Sequence, residues 1–464
     1  MTPLLVLNVV GLTRDLLARY PQRAKNIATL GSDGSSCTLG TVFPAVTCTV
    51  QSTFLTGTMP REHGVVANGW YFRELSEIHF WKQSNALVHG EKLWTAAKKR
   101  SSSREFTSAK LFWWYNMYSE NDIAITPRPA HLADGSLISL TYTNPPELAP
   151  QLDAELGRFP LFKFWGPDAG LGSSEWIARC TESVQRRYSP TLTLVYLPHL
   201  DYNLQRIGPA DPRIGDDLEA IDAIVGRLAT AAQARGQTVV ILSEYGMSQV
   251  SGVIDINRIL RRAGLLKVQQ QAAWELLDCG ASRAFAVSDH QAAHVYVKDP
   301  SDVAAVKALL EKTSGIERVL GADGLLQMGL DHPRSGELVA ISAADKWFTY
   351  YYWEDDARCP PWAHEVDIHN KPGYDPVELF LDPKAPLVIP RIVWRLFKRK
   401  LGFRSTIMDF IPFDSSLVKG SHGRLPSRPE EGPLLIVSRK NLTLPEHLPA
   451  TGVKALLLGL MFGE

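Results

Sequence analysis

Three short, nearly unbroken apolar runs stand out along the chain: Leu4 to Val10, Leu192 to Leu197 and Thr238 to Leu242. A strand with one wet face alternates apolar and polar residues, whereas a continuous run fits a strand covered on both faces, as in a parallel sheet. Between the runs the period changes. Ser174 to Tyr188 and Asp216 to Ala234 carry apolar residues at three- and four-residue spacing, the stripe of a helix laid on a sheet. Strand, helix, strand and helix in alternation predict an α/β fold with a doubly wound, mainly parallel sheet.

From Leu265 to Tyr352 the rhythm shortens to brief strands, a helix at Asp302 to Lys312, and further strands at Glu337 to Ile341 and Trp347 to Tyr351. Residues 265–352 are therefore expected to form a small α+β insertion, a cap, with 1–264 and 353–464 as the core. The segment Trp353 to Glu464 is rich in Pro and Gly and predicts long loops that return to the main sheet. No internal repeat interrupts this plan.

Composition narrows the partners more than the fold. The chain has 464 residues, 45% of them hydrophobic, enough for a large core. Lys plus Arg and Asp plus Glu both number 49, so no global field draws the protein to nucleic acid or membrane, local patches aside, and a small local ligand is expected. The first residues lack the basic start and cleavage site of a signal peptide, and no window nears the ~18 apolar residues of a membrane span. The five cysteines form no CxxC pair, which fits a reduced, cytoplasmic compartment. There is no GxSxG elbow, no GxxxxGK[ST] phosphate loop and no GxGxxG after the first strand, so the common α/β chemistries that use them lose support. Nothing in the sequence sets an oligomeric state.

The segment Phe43 to Gly57 places a proline-containing loop before a run ending in Thr56-Gly57. A helix beginning near Thr47 aims free N–H groups at the surroundings of that hydroxyl, an anion site, although a threonine there also serves as a plain helix cap. Pro60, His63-Gly64 and Asn68 follow. In this order and spacing the segment resembles the nucleotide pyrophosphatase/phosphodiesterase and phosphonoacetate hydrolase branch of the alkaline-phosphatase superfamily. The resemblance implies an alkaline-phosphatase type of sheet, attack on phosphorus by Thr47, and stabilisation of the transferred group by Asn68 with the Cys48 N–H. His63 is expected to be a structural turn residue.

The same resemblance implies a pair of metal ions at strand ends, and here the chain departs from the family pattern. After Leu192 to Leu197 it keeps Asp201 but has Gln205 where a histidine ligand is expected. After Thr238 to Leu242 it reads Ser243-Glu244-Tyr245-Gly246-Met247 in place of Ser-Asp-His-Gly-Met, and Asn8 is the only polar candidate in the first strand. His422, in Gly420-Ser421-His422-Gly423, remains as a histidine ligand. The implied ligand set is thus Asn8, Thr47, Asp201, Gln205, Glu244, Tyr245 and His422. It is oxygen-rich, so one or two divalent ions are expected, with Mg²⁺, Mn²⁺ or Ca²⁺ favoured over Zn²⁺. Tyr245 could ligate as a phenolate or donate a hydrogen bond to a phosphate oxygen.

Three further features lie outside this pattern. Ser288-Asp289-His290 looks like the family motif, but Gln291 follows it and it sits in the expected insertion, so it is set aside as coincidence. In the loop His364 to Pro376, His369 or Asp367 could replace a lost ligand and Lys371 could contact substrate phosphate, although an ordinary polar loop explains the same residues. Arg391 to Arg404, with Trp394, Leu396, Phe397 and Leu401, reads as an amphipathic surface helix whose alternative role is peripheral docking on an anionic membrane. The expectation is a metal-dependent hydrolase of phosphodiester, pyrophosphate or phosphonate bonds working through a covalent Thr47 intermediate. The alternative is a degraded relative that binds a phosphorylated metabolite or partner without turnover.

Overall fold

The computed structural model describes residues 1–101, 105–132, 137–384, 387–403 and 410–463. The three apolar runs become adjacent strands, buried throughout except for half-buried Thr238, with Leu4–Val9 at the centre, Leu192–Leu197 on one side and Thr238–Leu242 on the other, all parallel. Ser108–Leu111 and Ile123–Pro127 extend the parallel set beyond Leu192–Leu197. Three antiparallel pairings flank it: Leu434–Val437 on Thr238–Leu242, Ser35–Leu39 on Leu434–Val437, and Thr141–Asn144 on Ile123–Pro127. With His447–Leu448 at one edge, the sheet has nine strands. Helices Leu171–Tyr188 and Ile214–Gln233 bury their apolar stripes against it, as predicted, beginning a little earlier than their periodicity announces. The fold is mixed α/β around a mostly parallel sheet.

Parallel strands share one direction, so the segments leaving their C-terminal ends meet at one edge of the sheet, where open α/β sheets hold their ligands. Asn8 lies next to the end of the central strand, paired across to Tyr196 and Leu242. The helix His199–Ile207 follows one neighbouring strand, and Ser243-Glu244-Tyr245 follows the other.

Within the expected insertion, Ala284–Asp289, Ala292–Val297, Leu338–Ser342 and Ile316–Leu320 form a four-stranded antiparallel sheet, with the helix Val303–Glu311 packed on it. Its core draws on Phe80, Ile254 and Leu260 before residue 265 and on Trp353 and Tyr374 after 352. Gly252–Ile254 also pairs in parallel with Lys346–Phe348. The packing of residues 265–352 thus continues into residues on both sides of them.

The C-terminal segment holds more regular structure than its Pro and Gly content predicts. Leu434–Val437 fills a place inside the main sheet, and helices form at Val388–Lys400 and Val453–Phe462. The last is apolar along most of its length, so it carries little stripe by which to be recognised.

Candidate active site

Thr47 opens the ten-residue helix Thr47–Thr56, preceded by Val46 in extended conformation and closed by Gly57 in the left-handed region. Its side chain lines a small cavity at the C-terminal edge of the sheet. The Thr47 Oγ1 lies 3.2 Å from the Tyr245 hydroxyl, which in turn lies 3.2 Å from Asp201 Oδ1. An ionised carboxylate only accepts, so Tyr245 gives its single proton to Asp201 and is open to accept from Thr47, whose hydroxyl is also in reach of Glu244 and Tyr196. Burial, with Asp201 and Glu244 nearby, pushes the Tyr245 hydroxyl well above its ordinary pKa. Of the two roles open to Tyr245, the neutral hydrogen-bond donor is the one this environment supports.

Asp201 and Gln205 are four residues apart on the helix His199–Ile207 and therefore share a face. Gln205 Nε2 donates to Asp201 Oδ2 at 2.6 Å, and the Tyr374 hydroxyl donates to Gln205 Oε1 at 3.0 Å. Glu244 is held in the same manner: Asn8 Nδ2 and Gln51 Nε2 both donate to its Oε1, at 2.5 and 2.6 Å. Burial lifts the Asp201 carboxyl to about 6 and that of Glu244 to about 8. Glu244 Oε2 and Asn8 Oδ1 have no partner, and a proton on Glu244 would give the carboxyl a hydrogen to donate.

On the other side of Thr47, Asn68 Oδ1 accepts from the Cys48 N–H at 2.9 Å. Asp289 accepts from the Asn68 N–H at 2.8 Å and from Asn68 Nδ2 at 3.1 Å, and burial raises its carboxyl to about 7. His290 stacks between Tyr374 and His422, at ring separations of 3.7 and 3.6 Å. His422 stacks in turn on Tyr245 at 3.6 Å, with its Nδ1 2.8 Å from the Ala45 carbonyl. That contact assigns the ring proton to Nδ1 and leaves Nε2 3.9 Å from Asp201 Oδ1. Burial holds His422 at about 3 and His290 well below its ordinary value, so both rings are neutral.

Asp289 and His290 thus belong to the site, and setting Ser288-Asp289-His290 aside as coincidence is corrected. The two-residue turn between Ala284–Asp289 and Ala292–Val297 carries them there, with His290 in the left-handed region at φ 58°. The signal was present in the motif, but its place in the chain argued against it. Lys371 does not reach the cavity. Its ammonium is buried between Asp375 and Glu378 at 2.7 and 2.8 Å, a structural ion pair rather than a phosphate contact. His369 is also absent from the cavity lining; its Nδ1 lies 3.4 Å from the Phe80 carbonyl. His63 is buried on Thr53 Oγ1 at 3.0 Å, in keeping with a structural role.

The cavity holds about 50 Å³, room for little more than a phosphoryl group. Trp81, Trp114, Trp165, Tyr196, Tyr202 and Tyr374 supply most of its walls, with Thr47, Asp201, Tyr245, His290 and His422 as polar groups. Among the described residues, no lysine or arginine lines it.

The sequence profile of type I phosphodiesterase/nucleotide pyrophosphatase matches residues 4–375, which include all of these groups except His422. The chain belongs to that family. It is a family of hydrolases in the alkaline-phosphatase superfamily. Two solved structures share its fold. Phosphonoacetate hydrolase from Sinorhizobium meliloti, in complex with phosphonoformate, is 14% identical at TM-score 0.63, over 99% of this chain and 96% of that one. Murine ectonucleotide pyrophosphatase/phosphodiesterase 5 is 14% identical at TM-score 0.59, over 100% and 95%. An inactive variant of the murine protein has been solved with AMP. No curated protein matches the chain as a sequence relative.

The phosphodiesterase family is of metalloenzyme type, so its ion must be tested against the residues present. As folded, they do not fit a metal pair. Amide N–H groups, which repel a cation, point at Glu244 Oε1 and Asp201 Oδ2, and the Gln205 carbonyl oxygen is turned to Tyr374. Among the described residues no group of three or more His, Cys, Asp or Glu side chains is placed to hold an ion. The expected ligands do come together, but as a hydrogen-bonded network.

Proposed function

We propose that this hydrolase cleaves a phosphodiester, pyrophosphate or phosphonate bond by attack of Thr47. The observation that carries the reading is the directed chain from Thr47 through Tyr245 to Asp201 at the start of a helix. On attack, the Thr47 Oγ1–P bond forms and the bond to the leaving group breaks. The Thr47 proton passes to Tyr245 as the Tyr245 proton passes to Asp201. The proton held by Asp201 goes to the departing oxygen, and water then cleaves the Oγ1–P bond, its hydroxyl going to phosphorus and its other proton back to Thr47 Oγ1. The start of the Thr47 helix lies at the cavity, while the Cys48 N–H is taken up by Asn68 Oδ1 and the Asn68 amide by Asp289, so either meets the transferred group only after releasing that partner. The lack of a cation in the lining favours a monoanionic diester or phosphonate ester over a dianionic monoester.

One observation favours a second reading, ligand binding without turnover: amides occupy both carboxylates where charge neutralisation would be needed. Hydrolysis of bis-p-nitrophenyl phosphate and related diesters by wild type and Thr47→Ala, with chelator and with each ion in turn, separates the two. Turnover that falls on the order of 10³-fold or more in Thr47→Ala supports the hydrolase. Its absence over a broad ester panel, with phosphate-ligand binding retained, supports the second reading. With His422 as the one nitrogen donor of the expected set, Mg²⁺, Mn²⁺ or Ca²⁺ suits these groups better than Zn²⁺. Uptake of any ion at Glu244 requires the Asn8 and Gln51 amides to release it.

A further inference from the structure

The helix Val388–Lys400 leaves most of its large apolar side chains uncovered. A surface helix ordinarily turns its apolar stripe to the core and its charges to water. Here Arg391 and Arg395, one turn apart, both lie 5.1 Å over the ring of buried Phe410, while Ile389 (66% exposed), Val393 (58%), Trp394 (55%) and Phe397 (49%) face solvent. Leu396 on the helix, and Leu387, Leu401 and Phe403 beside it, continue the patch. Eight of the nineteen large apolar side chains exposed among the described residues fall in the seventeen residues 387–403, so this is a concentrated surface and not scattered exposure.

Charge identifies what covers it. Residues 387–403 include five Lys and Arg and no Asp or Glu, in a chain whose formal net charge is +0. Lys398 and Lys400 are exposed next to the apolar patch. An exposed aromatic and aliphatic face bordered by cations matches the boundary of an anionic bilayer, where apolar side chains enter the acyl region and lysines meet headgroups. At thirteen residues the helix is too short to cross a membrane, which takes about 20. Arg404, the end of the stretch expected from sequence, lies outside the described residues.

We infer that residues 387–403 dock the protein peripherally on an anionic phospholipid surface. The placement also bears on the cavity. Leu387 follows Phe380 by seven residues, within about 25 Å of extended chain. Phe380 packs against the cluster of Ala169, Tyr202 and Leu379, and Tyr202 lines the cavity.

Co-sedimentation of the full chain with phosphatidylcholine vesicles, with and without phosphatidylglycerol, tests this at low and high salt. The expected result is partitioning onto the anionic vesicles that salt weakens. Each lysine removed costs about fivefold, so Lys398→Gln with Lys400→Gln lowers it roughly 30-fold. Trp394→Ser with Phe397→Ser lowers it roughly tenfold or more, and because all four side chains are exposed the thermal midpoint should not move. Absence of partitioning at low salt overturns the inference, as does partitioning that both double variants leave intact. A wild-type oligomer dissolved by Trp394→Ser with Phe397→Ser, without vesicle binding, assigns the patch to self-association and overturns it as well.

Discussion

Glu244→Gln isolates the claim that the second carboxylate of the site is held neutral. Glu244 is completely buried, and burial lifts its carboxyl from 4.5 to about 8 against the pull of the Gln51 and Asn8 amides. Below pH 4.5 the folded and unfolded chains both carry the proton, and stability is unaffected. As pH rises toward 8 the unfolded chain releases it while the folded chain keeps it, so stability falls by about 1.4 kcal/mol per pH unit. Above pH 8 the accumulated loss is roughly 5 kcal/mol. Glutamine has the same shape and does not titrate, and its amide oxygen can accept the same two hydrogen bonds. For 464 residues the unfolding entropy is on the order of 1 kcal/mol per degree, so 5 kcal/mol is worth about 5 °C. Differential scanning fluorimetry from pH 5 to 9 should therefore show the variant close to wild type at pH 5 and about 5 °C above it at pH 9. Parallel profiles would refute the reasoning. A variant that melts lower at every pH, beside a wild type that gains stability with added Mg²⁺, would reassign Glu244 to an ion.

Three further substitutions probe neighbouring links. Tyr245→Phe keeps the stacking on His422 and removes the proton path, so kcat toward a diester should fall roughly 10²-fold or more with KM little changed; an unaltered kcat removes Tyr245 from the mechanism. Asp289→Ala strips Asn68 of two hydrogen bonds and should cost about 2–3 kcal/mol in urea unfolding together with a loss of kcat; full activity would mean that Asn68 is placed by other contacts. Lys371→Met leaves Asp375 and Glu378 buried without their cation and should destabilise by roughly 3–5 kcal/mol, while residual folded enzyme keeps its KM; a raised KM at unchanged stability would return Lys371 to the substrate.

The central strands were legible because burial on both faces demands unbroken apolar runs, and Leu4–Val9, Leu192–Leu197 and Thr238–Leu242 meet that demand. Ser108–Leu111 was not, since it contains Lys110, whose ammonium is buried on the Trp114 and Tyr115 carbonyls, a tertiary arrangement that no local pattern announces. Spacing singled out Thr47, Asn68, Asp201 and His422, of which Thr47, Asp201 and His422 line the cavity. It could not show that Asn8, Gln51 and Gln205 turn their amide nitrogens to the carboxylates, because an oxygen-rich set of residue types does not specify which atom of an amide faces inward. Asp289 and His290 were read by position in the chain, whereas a hairpin of the cap brings them to Asn68 and His422. Lys371 shows the opposite error, a polar loop taken for a binding loop when its charges satisfy one another.

The most direct test is a single-turnover assay of wild type and Thr47→Ala with bis-p-nitrophenyl phosphate under chelator, followed by mass mapping of the quenched protein. The expected result is release of one p-nitrophenol by wild type, a p-nitrophenylphosphoryl adduct on the peptide that contains Thr47, and loss of both in the variant. Release that persists in Thr47→Ala, or a wild type that turns over without modifying that peptide, would contradict it.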